Sequence, residues 1–357
     1  MKHLLAGLAV GLLACSEASS PSASAIQPSN STAVGVGSTA VVSASSPVSA
    51  PTAVVTAAIA GVSTPDAAQR TRLKADVAKI AIRRAPGSSG WKTVQTLIKE
   101  RLVELGYSPQ LEPFEPGGVN VLASKLGSKS PQEIVILSAH YDHLQGCDGA
   151  DDNASGVATV LEAARFFQSK TLERTVLLAF WDREESGLEG SLFHAKAAKG
   201  RGDRITQMIS LDGVGFASSA PGSQRFPPGL EALLPDIHAR AAKNDFKADF
   251  ITAIGDSDSA ETVNNMEKFG TALNQPTYGL ALSVLKRLAL SDAARSDHAS
   301  FWLHGYPAIL VTDTADFRNP RYHCGNGPDS AASLDYEFLN RVTSVVISAT
   351  DAAASTR

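Results

Sequence analysis

Several short stretches of the chain set imidazole and carboxylate groups directly after apolar runs. His140-Tyr141-Asp142 follows the run 134–137, Glu184-Glu185 follows 176–181 through Asp182-Arg183, and Asp212 follows 208–211. Asp152 lies in Gly-Ala-Asp-Asp-Asn-Ala-Ser-Gly ahead of a helical pattern, and Tyr322-His323 comes after the last apolar run, 308–311. Each has an ordinary explanation when taken singly. Asp152 suits the residues before a helix, Asp212 before a glycine suits a turn, Glu184-Glu185 suits a charged loop, and Tyr322-His323 suits a surface pair. Together they amount to two imidazoles and several carboxylates delivered from separate strand ends, which is the usual ligand set of hydrolytic zinc. Two divalent ions ~3.5–4 Å apart can hold a hydroxide between them and polarise a carbonyl. A neighbouring carboxylate left out of coordination is free to move protons.

The elements needed to position these groups are legible in outline. Trp91, Val94, Leu97, Ile98, Leu102 and Leu105 recur at helical spacing, with Gly106 placed for a C-terminal cap. Pro116-Gly117-Gly118 marks a turn before a strand at 121–126. Strand-like runs at 134–137, 176–181, 208–211 and 308–311 then alternate with helical patterns at 157–167, 190–199, 230–242 and 336–349. Strands that are apolar throughout and separated by helices predict an α/β fold, a largely parallel mixed sheet sandwiched between helices. In such sheets functional residues gather beyond the carboxyl ends of the strands. The stretch 250–290 has no clear period and stays open, an inserted lid and a helix pair both being compatible with it.

The motifs SAHYDH, GADDNASG, FWDREESGLEGS, ISLDGVG, SDHASFWLHGYPAIL and RYHC occur in the order found in the secreted di-zinc aminopeptidases. From Asp66 onward the chain resembles that family, which is related to glutamate carboxypeptidases and glutaminyl cyclases. The resemblance implies a single zinc-exopeptidase-type domain holding two zinc ions. It implies that Asp152 bridges the metals, that His140 and Asp212 complete one site, and that Glu185 and His323 complete the other. Glu184 is then the general base that activates a metal-bridged hydroxide. Asp142 would orient His140, and Tyr322 would donate to the carbonyl oxygen. Ser296, Asp297 and His298 would line the pocket or support the ligands. His143, His194, His238 and His304 fall outside the implied roles and are expected to be structural or exposed.

The chain departs from the family pattern after His323, where Cys324 replaces the usual Thr and the nearest comparable acid, Asp329, lies further on. Cys147 precedes the implied bridging ligand by five residues, and Cys324 directly follows another ligand. If both ligands hold one metal, the two sulfurs are close, and a disulfide across the rim is expected. Two free thiols are the alternative.

The N-terminus reads as an export signal. Lys2 and His3 precede an apolar run, 4–13, that ends in Leu12-Leu13-Ala14-Cys15. The run is too short for a mature membrane span. Its end resembles a bacterial lipoprotein processing site, which implies a signal peptide over 1–14, acylation of Cys15 and a lipid anchor. An ordinary secretory signal, cleaved for instance after Ala25, is the alternative. The Ser/Ala/Pro-rich stretch that follows, free of charge from Ala18 to Pro65, reads as a flexible linker, 15–65, before the catalytic domain, 66–357. The protein is therefore expected in the cell envelope, lipid-anchored, or else secreted.

With 32 basic and 36 acidic residues the net charge is only −4, and no basic cluster marks a nucleic-acid binder. The expected partners are peptides. The expected activity is removal of N-terminal residues. Carboxypeptidase action on acidic C-termini would need an arginine cluster, for which Arg183, Arg295, Arg318 and Arg321 are candidates. Cyclase relatives hold one zinc and lack the first histidine, so His140 speaks against that activity. A binding module that has lost catalysis is disfavoured because every implied ligand is present. Side-chain preference is expected to depend on pocket walls between Phe216 and Leu290.

Overall fold

The computed structural model describes residues 62–355. The signal segment 1–14, the lipidation candidate Cys15 and nearly all of the linker 15–65 lie outside the described residues.

The domain opens with α1, Ala67–Ile80, whose first turn is capped by Asp66: the Gln69 backbone N–H donates to the Asp66 carboxylate at 2.6 Å. Helix α2, Ser89–Glu104, is capped by Ser88 in the same way. It ends at Gly106, whose φ of +83° is the left-handed conformation glycine supplies cheaply. A hairpin of β1, Gln110–Phe114, and β2, Gly118–Lys125, follows. The central strands are β3, Ser130–His140, β4, Arg174–Trp181, and β5, Arg204–Leu211. Helix α3, Gly156–Gln168, joins β3 to β4, and α4, Glu189–Arg201, joins β4 to β5.

The helix expected over 230–242 is two helices, α5, Leu230–Leu233, and α6, Pro235–Lys243. Pro235 cannot donate a backbone hydrogen bond, so it starts a new helix instead of continuing the old one. The stretch 250–290 is neither a lid nor a helix pair. It forms β6, Ile251–Asp256, α7, Ala260–Ala272, β7, Thr277–Leu282, and a short α8, Val284–Ala289. Its two strands pair in parallel and extend the main sheet. Helix α9, His298–Leu303, then leads to β8, Ala308–Thr312, and α10, Tyr336–Ala354, closes the domain.

All eight strands form one mixed sheet in the order β1-β2-β4-β3-β5-β8-β6-β7. The block β4-β3-β5-β8 is parallel throughout, while β2 joins β4 and β6 joins β8 antiparallel. Strand alternation divides the core in two. Val135, Leu137 and Ala139 of β3 pack with α1, α2, α3, α7 and α10 on one face. Ile136 packs with Ala195 and Ala198 of α4 and Phe301 of α9 on the other. Because both faces are covered, the central strands are apolar over most of their length, and β4 is buried over its whole length after Arg174. The parallel block brings the carboxyl ends of β3, β4, β5 and β8 side by side.

Candidate metal centre

His140 is the last residue of β3, and Asp212 follows the last residue of β5, its N–H donating to Val311 O at 3.1 Å. Glu184 and Glu185 leave β4 through Asp182, a buried carboxylate that accepts from Trp91 Nε1–H and from Val119 N–H, each at 2.8 Å. Burial raises the Asp182 pKa to about 6, with the nearby Asp142 charge adding to the effect and these hydrogen bonds opposing it. Asp152 sits in an irregular turn, 150–155, before α3. His323 lies in a short turn after β8 with φ of +52°, an unusual conformation for a residue with a side chain.

These groups converge. Asp152 Oδ1 is 3.1 Å from His140 Nε2, and Asp152 Oδ2 is 3.1 Å from His323 Nε2. His140 Nε2 is also 3.7 Å from Asp212 Oδ1, and His323 Nε2 is 3.3 Å from Glu185 Oε2. One carboxylate thus faces two donor groups, one oxygen each. His140 Nε2, His323 Nε2, Asp152 Oδ1 and Glu185 Oε1 are buried without any hydrogen-bond partner. Leaving such atoms unpaired is costly, and a cation shared between them removes the cost. The donor set fits zinc.

Glu184 is buried, and burial raises its carboxyl pKa well above the ordinary value. His140 opposes the shift, and the negative charges of Asp212, Asp297 and Glu185 add to it. His323 is affected the other way. Burial disfavours its charged form, but contact with Asp152 and Glu185 raises its pKa to about 10. Both effects reflect an excess of negative charge in a low-dielectric pocket, which divalent cations would offset.

The remaining expected residues surround the ligands, with one exception, His298. Asp142 lies 3.5 Å from His140 Nδ1, and its two oxygens also accept the backbone N–H groups of Glu184, at 3.0 Å, and Glu185, at 3.3 Å. One carboxylate therefore ties the β3 exit to the β4 exit. Asp297 is buried with both oxygens unpaired, and burial raises its pKa to about 7. His298 is turned away from the ligands. Its Nε2–H donates to Ala293 O at 2.7 Å, its ring meets Trp302 edge-on, and burial lowers its pKa to about 4. Its role is to brace the loop before α9. Tyr322 stacks on the His323 ring at 3.8 Å and faces the cavity beside Asp212. Cys147 and Cys324 are joined by a disulfide.

Three supports were given no role by the motifs, and Arg84 lies outside them altogether. Arg84 is completely buried and donates to the carbonyls of Tyr141, Asp148, Gly149 and Asp152, so it holds the whole loop from β3 to α3. Asp329 accepts the N–H groups of Asp151 and Asp152, the latter at 3.2 Å. His143, expected to be structural or exposed, is buried against the site with Nδ1 2.7 Å from Glu185 Oε1. Only its position three residues after His140 could have pointed to it.

Beside the ligands lies a cavity of about 120 Å³. Asp212, Ser296 and Tyr322 line its metal end, and Phe226, Leu230, Ile254, Leu280, Leu290 and Phe317 its walls.

Residues 120–350 match the model of peptidase family M28. The chain is 32% identical to the uncharacterized protein YfbL of Escherichia coli over 70% of this chain and 76% of that one. It is 28% identical to a probable zinc metalloprotease of Pyrenophora tritici-repentis, over 65% of this chain, and spans about half (51%) of that protein. Among solved structures, a zinc aminopeptidase from Bacillus subtilis superposes with a TM-score of 0.60 at 14% identity, over 81% of this chain and 95% of that one. This chain belongs to peptidase family M28. It is a hydrolase of the metallo-exopeptidase class, and the expected α/β fold is the one observed.

Proposed function

We propose that the protein is an aminopeptidase that holds two zinc ions and removes residues with large apolar side chains from peptide N-termini. The cavity carries this reading. Its walls are apolar, it ends at Asp212 and Tyr322, and it accommodates one hydrophobic side chain next to the metal ligands. Three of the four arginines that would favour acidic C-termini are paired within the fold, Arg295 at the edge of the cavity among them. Arg183 is 3.5 Å from Glu189, Arg295 pairs with Asp292 and Asp316, and Arg318 donates to Gln224 and to the Phe250 carbonyl. His140, facing Asp152 and Asp212, supports two metals rather than one.

In this reading His140, Asp152 and Asp212 hold one ion and Asp152, Glu185 and His323 the other. When bound, the ions supply Lewis acidity to the scissile carbonyl and lower the pKa of water. Glu184 takes the proton from the attacking water and delivers it to the leaving amine. Its raised proton affinity suits both halves of that task. Tyr322 donates its O–H to the developing oxyanion. Glu184 and Asp212 receive the free α-amine of the substrate. The apolar run 4–13 and its Leu-Leu-Ala-Cys end support a lipid on Cys15 and work in the cell envelope, with peptides as the partners. Among the described residues no helix is long and apolar enough to cross a membrane.

Digestion of a mixed peptide library by the zinc-loaded protein, read by mass spectrometry, tests the activity. Loss of Leu, Phe or Met from free N-termini, with N-acetylated peptides spared, is the expected result. Trimming from C-termini, or loss of ammonia from N-terminal Gln, would overturn it.

A further inference from the structure

We propose that His143 is a direct donor to the second metal ion, so that this site has two imidazoles, His143 and His323, beside Asp152 and Glu185. The inference rests on the two-zinc reading above. The placement of the ring argues for it. His143 is fully buried, and its Nδ1 lies 2.7 Å from Glu185 Oε1, yet the two atoms are not aligned for a hydrogen bond. Both ring nitrogens and that carboxylate oxygen have no other partner. Two buried polar atoms this close need a positive charge between them, a proton or a metal ion, and only a metal ion also engages the unpaired Nε2 of His323 across the same carboxylate. Atoms bound tetrahedrally to one zinc at ~2.0–2.2 Å lie roughly 3.3–3.6 Å from each other; the His323–Glu185 pair at 3.3 Å has that spacing, and the His143–Glu185 pair needs to open by only part of an ångström to admit the ion.

The other oxygen of Glu185 faces His323 at 3.3 Å, and the His143 and His323 rings approach edge-on at 5.9 Å between centroids. Donor atoms of His143, Asp152 and Glu185 all lie within 4.8 Å of one another. Four side chains thus surround one point. The ring is also fixed from behind. Gly149, at φ +59°, passes so close that a Cβ there would sit 2.5 Å from His143 Cδ2, and Arg84 holds the Gly149 carbonyl at 2.8 Å. A side chain held this rigidly suits a ligand.

The consequence is an unequal pair of sites. The first has one imidazole and the second two, and added imidazole strengthens binding of zinc over harder cations. Zinc supplied below two equivalents should fill the second site first.

The test is metal binding, read apart from turnover. Wild-type protein and His143→Ala are stripped and titrated with zinc against a chromophoric chelator, then with cobalt(II), whose visible bands report the coordination shell. Expected are two ions in the wild type, and in the variant one ion retained with the second weakened at least ~100-fold and its cobalt bands changed. Two ions held with wild-type affinity overturn the proposal. So does a weakened second ion with unchanged cobalt bands, which would make His143 a positioning residue for Glu185. X-ray absorption on the two-zinc wild type needs no variant: three imidazoles shared by the two ions are expected, and two would refute the assignment even if His143→Ala fails to fold. If the wild type itself binds no second ion, the two-zinc reading falls with it.

Discussion

Glu184 and Glu185 are sequence neighbours with separate tasks. The Glu185 carboxylate faces His323, whereas the buried Glu184 is surrounded by the charges of His140, Asp212, Asp297 and Glu185. Asp142 keeps them apart by taking both backbone N–H groups, so the chain cannot rotate to exchange them. Replacing Glu184 by Gln keeps shape and hydrogen bonding but removes the proton acceptor. Turnover should fall at least ~100-fold with zinc content unchanged, checked by kinetics alongside elemental analysis. Near-normal turnover would remove Glu184 from the mechanism. At this scale the chain was only partly readable. Carboxylates and imidazoles at strand ends stand out, because apolar strands make any polar exit conspicuous. His298 stands beside Asp297 in a motif yet turns to a backbone carbonyl, while His143 and Arg84 face the site. Spacing along a loop does not say which way a side chain turns.

Elements position the ligands by coupling loops that are distant in sequence. The Cys147–Cys324 bridge closes a separation of 177 residues and ties the loop after β3 to the turn that carries His323. In the chain-entropy view a bridge of that span is worth about 5 kcal/mol. Reduction by a dithiol, or paired Cys147→Ser and Cys324→Ser, should lower Tm by several degrees, as followed by calorimetry. Because His323 is adjacent to Cys324, zinc retention should weaken as well. An unchanged Tm would mean that the loops are held without the bridge, by Asp329 and Arg84. The α/β alternation was clear in the chain because buried parallel strands are apolar over most of their length. The β6-α7-β7 unit was not, because Gly255, Gly270 and Gly279 interrupt its pattern. Gly270 and Gly279 are required by packing: added Cβ atoms would meet Thr277 Oγ1 at 2.1 Å and Val263 Cγ1 at 2.7 Å.

For the whole molecule, the question is how a catalytic domain is held at its place of work. The segment before residue 62 carries the proposal of a lipid on Cys15, and the domain itself has mild charge and no basic cluster to bind a membrane electrostatically. Expression of Cys15→Ser in a bacterial host should move the protein from the membrane fraction to the soluble one, read by fractionation and by loss of incorporated labelled fatty acid. If wild type and variant fractionate alike and neither carries lipid, the segment is an ordinary secretory signal.

The sequence by itself determined the fold class and the donor types that meet at the candidate metal centre. Hydrophobic period and donor type are local properties, and six motifs in one order leave few alternatives. Tertiary structure decided which donors share a point, because that depends on how β3, β4, β5 and β8 are juxtaposed and not on any spacing along the chain. It brought Asp152 between His140 and His323, and it set His143 against Glu185. It also built the apolar cavity, where Leu280 of β7 meets Phe226 from the loop before α5 and Leu290 after α8 on the side of Asp212.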